Sequence, residues 1–425
     1  MQNVKGTYDF LGEDQSLRRA IRSVLEEVFA LYDFNETDST VLNELELLTS
    51  KYAGGDEIVK EMYQLTDQGS RKLGLRYDLT IPFAKIMALN PGIELPYKRY
   101  EIGKVFRDGP VKKGRLREFL QCDADVVGTA GPAAEAELMQ LAVEVFRRLD
   151  IPITLKWNNR QLLGEILEAV GVASEQKLSV MLTLDKLDKI GRDGVIKELA
   201  GKNVTANAID GITELIGMDS PTIGALTRQF GLEQSRGQFE AALLQDMLVK
   251  LNLEQTCQYD LFLSRGLSFY TGTVYEIFDA SKTFGSSLGG GGRYDAIIGQ
   301  LVGRDDIQYP TVGLSFGMES IMEMMRHRPV AMKLPQVAVI PIGDTMAAAL
   351  NAAGELRASG IRTRLEASGR KLKKSLAAAS AKGIRYVVLI GEEEAVAGKV
   401  RLKDMQEMTE HVVFLSDAVK RCAAD

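Results

Sequence analysis

VFRDGPVKKGRLREFLQCDADVV, residues 105–127, consists of two apolar-rich segments on either side of a basic loop. A Gly-Pro pair and a further glycine favour turns, so the stretch predicts two strands joined by that loop. Arg107 stands at the root of the loop, where a guanidinium can make a planar two-pronged contact with phosphate. The loop is interpreted either as a cover over a polyphosphate or as a solvated hairpin with surface cations.

The end of this stretch, QCDADVV (121–127), alternates polar and apolar residues. In a strand, Gln121, Asp123 and Asp125 would share one face of the sheet. Acidic side chains are rarely buried in a sheet unless they are paired. Three explanations remain open: a cationic ligand group lies on this face, the face is wet, or Asp125 pairs with an internal arginine.

Three other stretches place polar groups in an apolar setting. LSRGLSFYTGTVYEI (263–277) predicts a half-buried strand that carries Arg265, and GLRYDLTIPF (74–83) carries Asp78 and Thr80. The glycines of GSSLGGGGRYD (285–295) either let a ligand approach the backbone or form a flexible connection, and their spacing does not fit a dinucleotide fingerprint. Together these stretches predict one site for a polyphosphate and a small cationic amphoteric ligand.

The hydrophobic periodicity predicts two parts of the chain. Helices are predicted at 16–32 and 132–149, and a strand running into a helix at 311–326. After 327–335, short apolar runs alternate with helical patterns from QVAVIPI to RYVVLI, which indicates a separate α/β domain. The expected boundaries are therefore 1–327 and 328–425.

Length and composition bound the class of protein. The chain has 425 residues, a net charge of −6, three cysteines and two histidines. This composition is typical of a globular protein of two or three domains, and it argues against a disulfide framework, a zinc site and histidine-based catalysis. We see no apolar run long enough for a membrane helix and no signal-peptide pattern, so we expect a cytoplasmic protein without membrane contact.

These motifs, taken together, resemble the histidine–tRNA ligase family of class II aminoacyl-tRNA synthetases. VFRDGPVKKGRLREFLQ looks like motif 2, LSRGLSFYTGTVYE and GGGRYD like the two histidine-specific motifs, and LRYDLT like the substrate-binding strand. LDKLDKIG (184–191) looks like the helical insertion, and GRKLKKSLAAASAKGIRYVVLIGEEE with VRLKDM like the anticodon-binding domain. The resemblance implies an α+β catalytic domain, an antiparallel sheet with flanking helices, a helical insertion at about 171–230, and a C-terminal α/β anticodon-binding domain.

The resemblance also implies an activity and its residues. A homodimer would activate L-histidine with ATP and Mg²⁺ and transfer it to tRNA(His), with Arg265 and Arg107 as catalytic cations and no protein residues assigned to a metal. Asp78 and Thr80 would hold the α-amino group, and Gln121 and Asp125 would line the amino-acid site. Tyr270 and Tyr294 would contact the imidazole with Phe269 beside them. The remaining expected substrate contacts are Leu79 and Arg115.

Three positions depart from the family pattern. Thr40 stands where motif 1 usually has proline, Gly109 where motif 2 has an acidic residue (Asp108 comes one place early), and Ser320 where motif 3 has an ATP-binding arginine. A non-catalytic paralogue is therefore a rival interpretation, of the type of the histidine-sensing regulatory subunit of ATP phosphoribosyltransferase. A tRNA-binding module without activation chemistry is a second.

Overall fold

A computed structural model describes most of the chain, and all structural statements below concern these residues: 1–49, 60–111, 116–266, 269–303, 309–326, 328, 334–367 and 369–423. The chain divides into two compact units, Met1–Val330 and Ala331–Asp425. Each unit has its own sheet.

The strands of the first unit form one large sheet and one small sheet. Their bounds are β1 (Asn35–Glu36), β2 (Leu42–Glu44), β3 (Gln64–Thr66), β4 (Lys72–Leu75), β5 (Tyr97–Phe106), β6 (Glu118–Val127), β7 (Ile153–Asn159), β8 (Cys257–Tyr259), β9 (Thr273–Asp279), β10 (Gly289–Arg293) and β11 (Thr311–Gly317). The large sheet has the order β1-β5-β6-β11-β10-β9-β7-β8, and the small sheet the order β2-β4-β3. The six central strands of the large sheet are antiparallel, whereas β1 and β8 run parallel to their neighbours. The predicted antiparallel sheet is thus confirmed, with parallel strands added at its two edges.

Helices flank the large sheet. Their bounds are α1 (Gly12–Leu31), α2 (Leu45–Leu48), α3 (Thr80–Leu89), α4 (Ala133–Arg148), α5 (Arg160–Ala169), α6 (Lys177–Leu184), α7 (Leu187–Gly201), α8 (Ala206–Ile216), α9 (Ile223–Phe230), α10 (Arg236–Lys250), α11 (Ile297–Val302) and α12 (Met318–Met325). The buried residues of α1 recur every three or four positions, as in Leu17, Ile21, Leu25 and Val28, so one apolar stripe faces the core. The segment expected as an insertion, about 171–230, contains α6 to α9.

The two strands predicted around the basic loop are present. β5 and β6 pair over ten residues each, with Gly103 opposite Gln121 and Arg99 opposite Asp125. The alternation of β6 is what fixes this register, because a slip by one residue would move every acidic side chain to the other face of the sheet.

The strand predicted at 263–277 begins ten residues later than expected. Only Thr273–Asp279 is a strand, and the described part of the preceding segment is irregular. Arg265 has a φ of 60°, a left-handed conformation that no strand contains. The backbone N–H groups of Ser264 and Arg265 donate to the Asp185 Oδ1 atom at 2.8 and 3.2 Å instead of to a strand. Of the residues that suggested a strand, Leu263, Phe269 and Tyr270 belong to this loop, whereas Val274, Tyr275 and Ile277 lie in β9.

The second unit has the strand–helix alternation that its sequence predicts. Its elements are β12 (Val337–Pro341), α13 (Met346–Ala358), β13 (Thr363–Leu365), α14 (Leu372–Ala381), β14 (Tyr386–Ile390), α15 (Glu392–Val396), β15 (Lys399–Asp404), β16 (Thr409–Phe414) and α16 (Leu415–Ala423). The sheet order is β13-β12-β14-β15-β16, with β12, β13 and β14 parallel and the last two strands antiparallel. Val339, Leu356 and Val388 are fully buried in its core.

None of the helices in the described part of the chain is long and apolar enough to cross a bilayer.

Candidate active site

A cavity of ≈ 470 Å³ opens on one face of the large sheet, over β6, β10 and β11. Most of the site residues predicted from the sequence line it, although they come from four separate segments. They are Asp78, Thr80, Arg107, Gln121, Asp125, Arg265, Phe269, Tyr270 and Tyr294. Of the other two predicted residues, Leu79 is fully buried and does not line the cavity, and Arg115 lies outside the described residues.

The glycine cluster is a strand of the cavity wall, so the flexible-connection interpretation is wrong. A Cβ atom on Gly290 would lie 2.1 Å from the Arg265 Nη1 atom, and one on Gly292 would lie 3.0 Å from the Tyr270 ring. The first of these distances is too short for two non-bonded atoms and the second is tight, so glycine at both positions makes room for the two side chains. The sequence signal was visible, but glycine disfavours strands, so the strand itself was not predicted.

Arg265 enters the cavity from its irregular loop. Its Nη1 atom lies 3.5 Å from the Glu276 Oε1 atom. Its Nε atom is buried and has no hydrogen-bond acceptor among the described residues. A buried donor without an acceptor is costly, so this nitrogen is suited to an acceptor supplied by a ligand.

Arg107 follows the end of β5 and supplies a second guanidinium. Its Nε atom donates to the Tyr77 carbonyl oxygen at 3.1 Å, and its guanidinium carbon lies 5.0 Å from the centre of the Phe119 ring. Its backbone N–H donates to the Arg117 carbonyl oxygen at 2.9 Å, which closes the base of the basic loop. Two arginines held in this way give the cavity an anion-binding side.

The acidic face of β6 supplies the opposite charge. Asp125 is paired with the fully buried Arg99 at 2.8 Å, and it accepts a hydrogen bond from the Tyr294 hydroxyl. The internal-arginine explanation is therefore correct for Asp125, and the residue lines the cavity as well. A Cβ atom on Gly313 would lie 1.9 Å from the Asp125 Oδ1 atom, so the neighbouring strand also leaves room for this carboxylate.

Asp78 lies just before α3. Its Oδ1 atom accepts the Ile81 backbone N–H at 3.1 Å. Burial raises the pKa of Asp78 to about 6, although the Ile81 N–H and the Arg107 charge oppose that change. Asp78 is thus a carboxylate at neutral pH. Burial of its charge costs free energy, and a bound cationic group would offset that cost.

Asp123 and Glu276 line the cavity but were not predicted as site residues. Burial raises the pKa of Asp123, the Arg99 charge opposes this change, and the nearby Asp125 adds to it. The Asp123 Oδ1 atom and the Gln121 Oε1 atom are buried without a donor among the described residues. The shared face of β6 was the available signal for Asp123. Glu276 had none, because one strand over 263–277 would place Arg265 and Glu276, an odd number of residues apart, on opposite faces.

The departures from the family pattern have different settings. A Cβ atom on Gly109 would lie 2.8 Å from the Glu61 carboxyl carbon, so a carboxylate from another segment stands beside the position where the family has an acidic side chain. Ser320 lies in α12, is 9% exposed and does not line the cavity. The Thr40 hydroxyl donates to the Asn43 side chain and accepts from the Lys85 amino group.

The described residues contain no cluster of three or more His, Cys, Asp and Glu side chains close enough to hold a metal ion by themselves. Mg²⁺ is commonly bound through one or two carboxylates together with substrate phosphates. Glu276, on the wall beside Arg265, is a carboxylate of that kind. The cavity therefore fits a magnesium–phosphate ligand better than a metal held by protein alone.

Comparisons with known proteins agree with this geometry. The chain is 45% identical over 419 residues to "Histidine--tRNA ligase 1" of Bacillus cereus, with 98% of each chain covered. It is 46% identical over 419 residues to "Histidine--tRNA ligase 2" of Shouchella clausii, with 97% of this chain and 98% of the relative covered. The crystal structure of histidyl-tRNA synthetase from a Nostoc species superposes with a TM-score of 0.81 at 26% identity, with 99% of each chain covered.

Family models divide the chain in the same order as the fold. The model described as "Anticodon binding domain" matches residues 336–425, and the model described as "Histidyl-tRNA synthetase" matches residues 6–321. Because these matches span nearly the whole chain, the protein belongs to the histidyl-tRNA synthetase family.

Proposed function

We propose that the protein activates L-histidine with ATP and transfers it to tRNA(His). The observation that carries this proposal is the cavity in which two arginines face a group of buried carboxylates and tyrosines, in a chain of this family. One side of the cavity is suited to an anionic ligand and the other to a cationic ligand, so a nucleotide and an amino acid could bind there together.

In the first step, a histidine carboxylate oxygen attacks the α-phosphorus of ATP in line with the departing pyrophosphate. One O–P bond forms and one breaks, which gives histidyl-adenylate and pyrophosphate. Negative charge increases on the transferring phosphoryl oxygens. Arg265 and Arg107 are fixed cations that stabilise this charge without reorganising.

Histidine binding uses the acidic side of the same cavity. Asp78 and Thr80 would hold the α-ammonium group. Hydrogen bonds to a charged group are stronger than those between neutral groups. Asp125, oriented by Arg99 and the Tyr294 hydroxyl, would fix the imidazole together with Tyr270. Gln121 lines the amino-acid site and Phe269 packs beside Tyr270 and Tyr294.

The nucleotide side has an unusual set of contacts. Among the described residues that line the cavity, the cations are Arg107 and Arg265, and Ser320 cannot replace the charge of an arginine. Mg²⁺, held by the phosphates with Glu276 as a protein carboxylate, would neutralise the triphosphate. Glu61, beside Gly109, would offer its carboxylate to an amino group of the base.

In the second step, a hydroxyl of the 3′-terminal ribose attacks the activated carbonyl carbon. The bond from carbon to the phosphate oxygen breaks, the hydroxyl proton is lost to water, and AMP leaves with the negative charge. The second unit would bind the anticodon arm, a role supported by its family match. We propose a homodimer in the cytoplasm, where ATP and tRNA are present and where the three buried cysteines stay reduced.

Histidine-dependent ATP–pyrophosphate exchange, measured over a series of ATP concentrations, tests the proposal. We expect exchange by the wild type with a raised apparent KM for ATP, and a lower KM in Ser320→Arg. Charge-assisted hydrogen bonds contribute about 1.5–3 kcal/mol each, so the KM should change by about tenfold to a hundredfold. A wild type without exchange at millimolar ATP that still binds histidine would support the regulatory paralogue instead. Binding of tRNA without exchange would support the binding module.

A further inference from the structure

One carboxyl group of the candidate active site has no assigned role. Asp123 lines the cavity between Gln121 and Asp125 on β6, and it is 4% exposed. Its Oδ1 atom is buried and has no hydrogen-bond donor among the described residues. A buried acceptor without a donor costs free energy, so this atom is suited to a donor supplied by a ligand.

The Ser315 hydroxyl orients this carboxyl group. Ser315 is opposite Asp123 in the β6–β11 pair, lines the cavity and donates to the Asp123 side chain. The Gln121 Nε2 atom donates to the same hydroxyl at 3.4 Å, and the Gln121 Oε1 atom is buried without a donor among the described residues. The two unsatisfied atoms are both acceptors, and an ammonium group, which has three donors and no acceptor, is the ligand group that fits them.

The register of the sheet places Asp123 in one row with Arg265. Asp123 is opposite Ser315 of β11, and Ser315 is opposite Gly290 of β10. The Arg265 guanidinium covers Gly290, since a Cβ atom there would lie 2.1 Å from the Nη1 atom. Paired residues of neighbouring strands point to the same face of a sheet. Asp123 and the arginine proposed to contact phosphate therefore flank the same part of the cavity.

The proposed imidazole contacts lie in the next row on that face. Asp125 and Gly292 are aligned in it through β11, and the Tyr270 ring covers Gly292. Two residues of a strand span about 6.6–6.8 Å. A histidine whose ring lies in this row and whose carboxylate points to Arg265 therefore brings its α-carbon, with the ammonium group, next to Asp123.

The buried charges around Asp123 do not balance. Two arginines, Arg76 and Arg99, supply two positive charges. Three carboxylates, those of Glu101, Asp123 and Asp125, supply three negative charges, and all five residues are at most 4% exposed. Arg76 pairs with Glu101 at 2.7 Å and Arg99 with Asp125 at 2.8 Å, so Asp123 is the carboxylate in excess. A buried net charge is costly, and either a proton on Asp123 or a cationic ligand removes it.

Burial raises the pKa of Asp123 to about 8. The Arg99 charge and the Ser315 hydroxyl oppose this change, whereas the charges of Asp125 and Asp78 add to it. Further ionisable groups face Asp123 from β5, from the loop before β9 and from the end of β10, and they are Glu101, Arg265, Tyr270 and Tyr294. Burial raises the pKa of both tyrosines, the pKa of Asp78 is about 6, and Arg99 keeps Asp125 charged. Asp123 is therefore the group of this set that exchanges its proton near pH 8.

We propose that Asp123 is a further substrate-binding residue, which accepts a hydrogen bond from the α-ammonium group of histidine and releases a proton to water when histidine binds. The inference rests on histidine as the ligand of the proposed function. An ammonium group has three N–H donors, and Asp78, Thr80 and Asp123 provide one acceptor for each. The proton leaves a carboxyl oxygen of Asp123, no other covalent bond forms or breaks, and the ammonium then balances the buried charge.

Asp123→Asn tests the proton release. Asparagine keeps an acceptor oxygen for the Ser315 hydroxyl and cannot exchange a proton, and the fold should be retained because the excess buried charge is removed. Calorimetry at pH 7.5 in two buffers of different ionisation enthalpy measures the protons released on histidine binding. With a pKa of about 8 for Asp123 in the free protein, the wild type should release about 0.8 of a proton, and the variant at most about 0.1, which comes from the imidazole of histidine.

The affinity for histidine should depend on pH in the same sense. Asp78 and the imidazole of histidine titrate in both proteins, so the ratio of the variant Kd to the wild-type Kd isolates Asp123. This ratio should rise by about tenfold from pH 6.5 to pH 8, because the wild type gains its acceptor charge over that range. A carboxyl group that only supports the fold would give a constant ratio. Asp246→Asn is the matched control and should behave like the wild type, because the Asp246 side chain is 53% exposed, pairs with Lys250 and does not line the cavity.

Ser315→Ala changes the proton affinity of Asp123 without replacing its carboxyl group. The Ser315 hydroxyl lowers the pKa of Asp123, so its loss should raise that pKa further. The wild type should release about 0.5 of a proton at pH 8, and Ser315→Ala should release more. Equal release by the two proteins would contradict the assignment of the proton to Asp123.

A ligand without an amino group separates the ammonium contact from a ring contact. 3-(Imidazol-4-yl)propionate should inhibit histidine-dependent exchange at pH 8 no less strongly in Asp123→Asn than in the wild type. Weaker inhibition of the variant would show that Asp123 contacts the ring, and the assignment to the ammonium group would be wrong. If the wild type neither binds histidine nor shows exchange, the proposed function fails. If it does both while Asp123→Asn releases as many protons, or while the ratio of the Kd values does not change with pH, only this inference fails.

Discussion

Arg265 combines three features that a structural arginine does not need. It has a left-handed backbone conformation, a buried Nε atom without a protein acceptor among the described residues, and a glycine opposite it that makes room for its guanidinium. Strain and unsatisfied donors are retained where the surroundings fix them for a function. Substitutions of Arg265 can therefore test whether it has a catalytic role.

Arg265→Ala should keep the fold and reduce histidine-dependent exchange by about 10²–10³-fold, because one preorganised charge donor is lost. Arg265→Lys should recover little of that activity, since lysine cannot present a planar fork. Lys282→Ala is the matched control. Lys282 is exposed and has a φ of 59°, so placing alanine in a left-handed conformation should cost both variants a similar free energy. Exchange by Arg265→Ala at the rate of the Lys282 variant would exclude a catalytic role.

Asp78→Asn should have opposite effects on stability and on histidine binding, and the effect on stability should depend on pH. The folded pKa of Asp78 is raised from 3.8 to about 6, so between these values the folded state binds more protons than the unfolded state. Wild-type stability therefore falls as pH rises through this window, whereas that of the variant does not. The difference in unfolding free energy should grow by roughly 2.4 kcal/mol in favour of the variant between pH 4 and pH 7.

Denaturant unfolding of both proteins from pH 4 to pH 8 measures this difference, and a constant difference would contradict the assigned burial cost. Asparagine keeps an oxygen that can accept the Ile81 N–H but loses the charge. Calorimetry at pH 8 should therefore show weaker histidine binding by the more stable variant. Such a trade-off is expected where a buried charge serves a ligand.

At the scale of elements, predictability from the sequence follows local periodicity. The β5–β6 pair was predictable because apolar and aromatic residues flank a Gly-Pro turn on both sides, and because polar and apolar residues alternate in 121–127. The loop before β9 was not, because Leu263, Phe269 and Tyr270 resemble strand residues although they pack from an irregular segment. Strand β10 was missed because glycine is a poor strand former, and the need for it arises only from side chains that are distant in sequence.

Asp185 links the turn after α6 to the loop of Arg265. Its Oδ1 atom accepts the backbone N–H groups of Ser264 and Arg265, and it does not line the active-site cavity. Asp185→Ala should therefore lower kcat for exchange more than it raises KM, because the catalytic cation is misplaced and the substrate contacts remain. Asp185→Asn keeps an acceptor oxygen and should restore most of the rate.

Asp188→Ala is the control for this prediction. Asp188 lies at the start of the next helix, and its side chain is 88% exposed, so its loss should leave exchange unchanged. If Asp185→Ala behaves like Asp188→Ala, the insertion segment does not position Arg265. If Asp185→Asn is as impaired as Asp185→Ala, the carboxylate charge matters, and the positioning role assigned to its hydrogen bonds is wrong.

At the scale of the whole molecule, the site is assembled from segments that no local pattern connects. Asp78, Arg107 and Arg265 were assigned to one site from their residue types and apolar settings, whereas Tyr294 was added only because the motifs resembled a family. Asp123 and Glu276 complete the cavity through strand pairing, which brings distant positions together.

The two units should be separable in function. Each has its own hydrophobic core, so each can fold without apolar contacts from the other. A chain ending at Val330 should keep histidine-dependent exchange and lose most tRNA charging, because the cavity of the reaction lies in the first unit. The isolated second unit should unfold cooperatively on heating.

Binding of tRNA by the isolated second unit provides the other half of this prediction. Arg370, Lys371, Lys373 and Lys374 are exposed at the start of α14, and contacts from such cations to phosphate weaken as salt increases. We expect tRNA(His) to bind this unit in low salt, to bind less after Lys373→Gln with Lys374→Gln, and to bind unchanged after Lys420→Gln, a control in the last helix of the same unit. If the chain ending at Val330 charges tRNA with the KM of the full chain, the second unit is not the anticodon-binding part of this protein. If it loses exchange as well, the second unit supports the catalytic cavity, and the division of labour between the units is wrong.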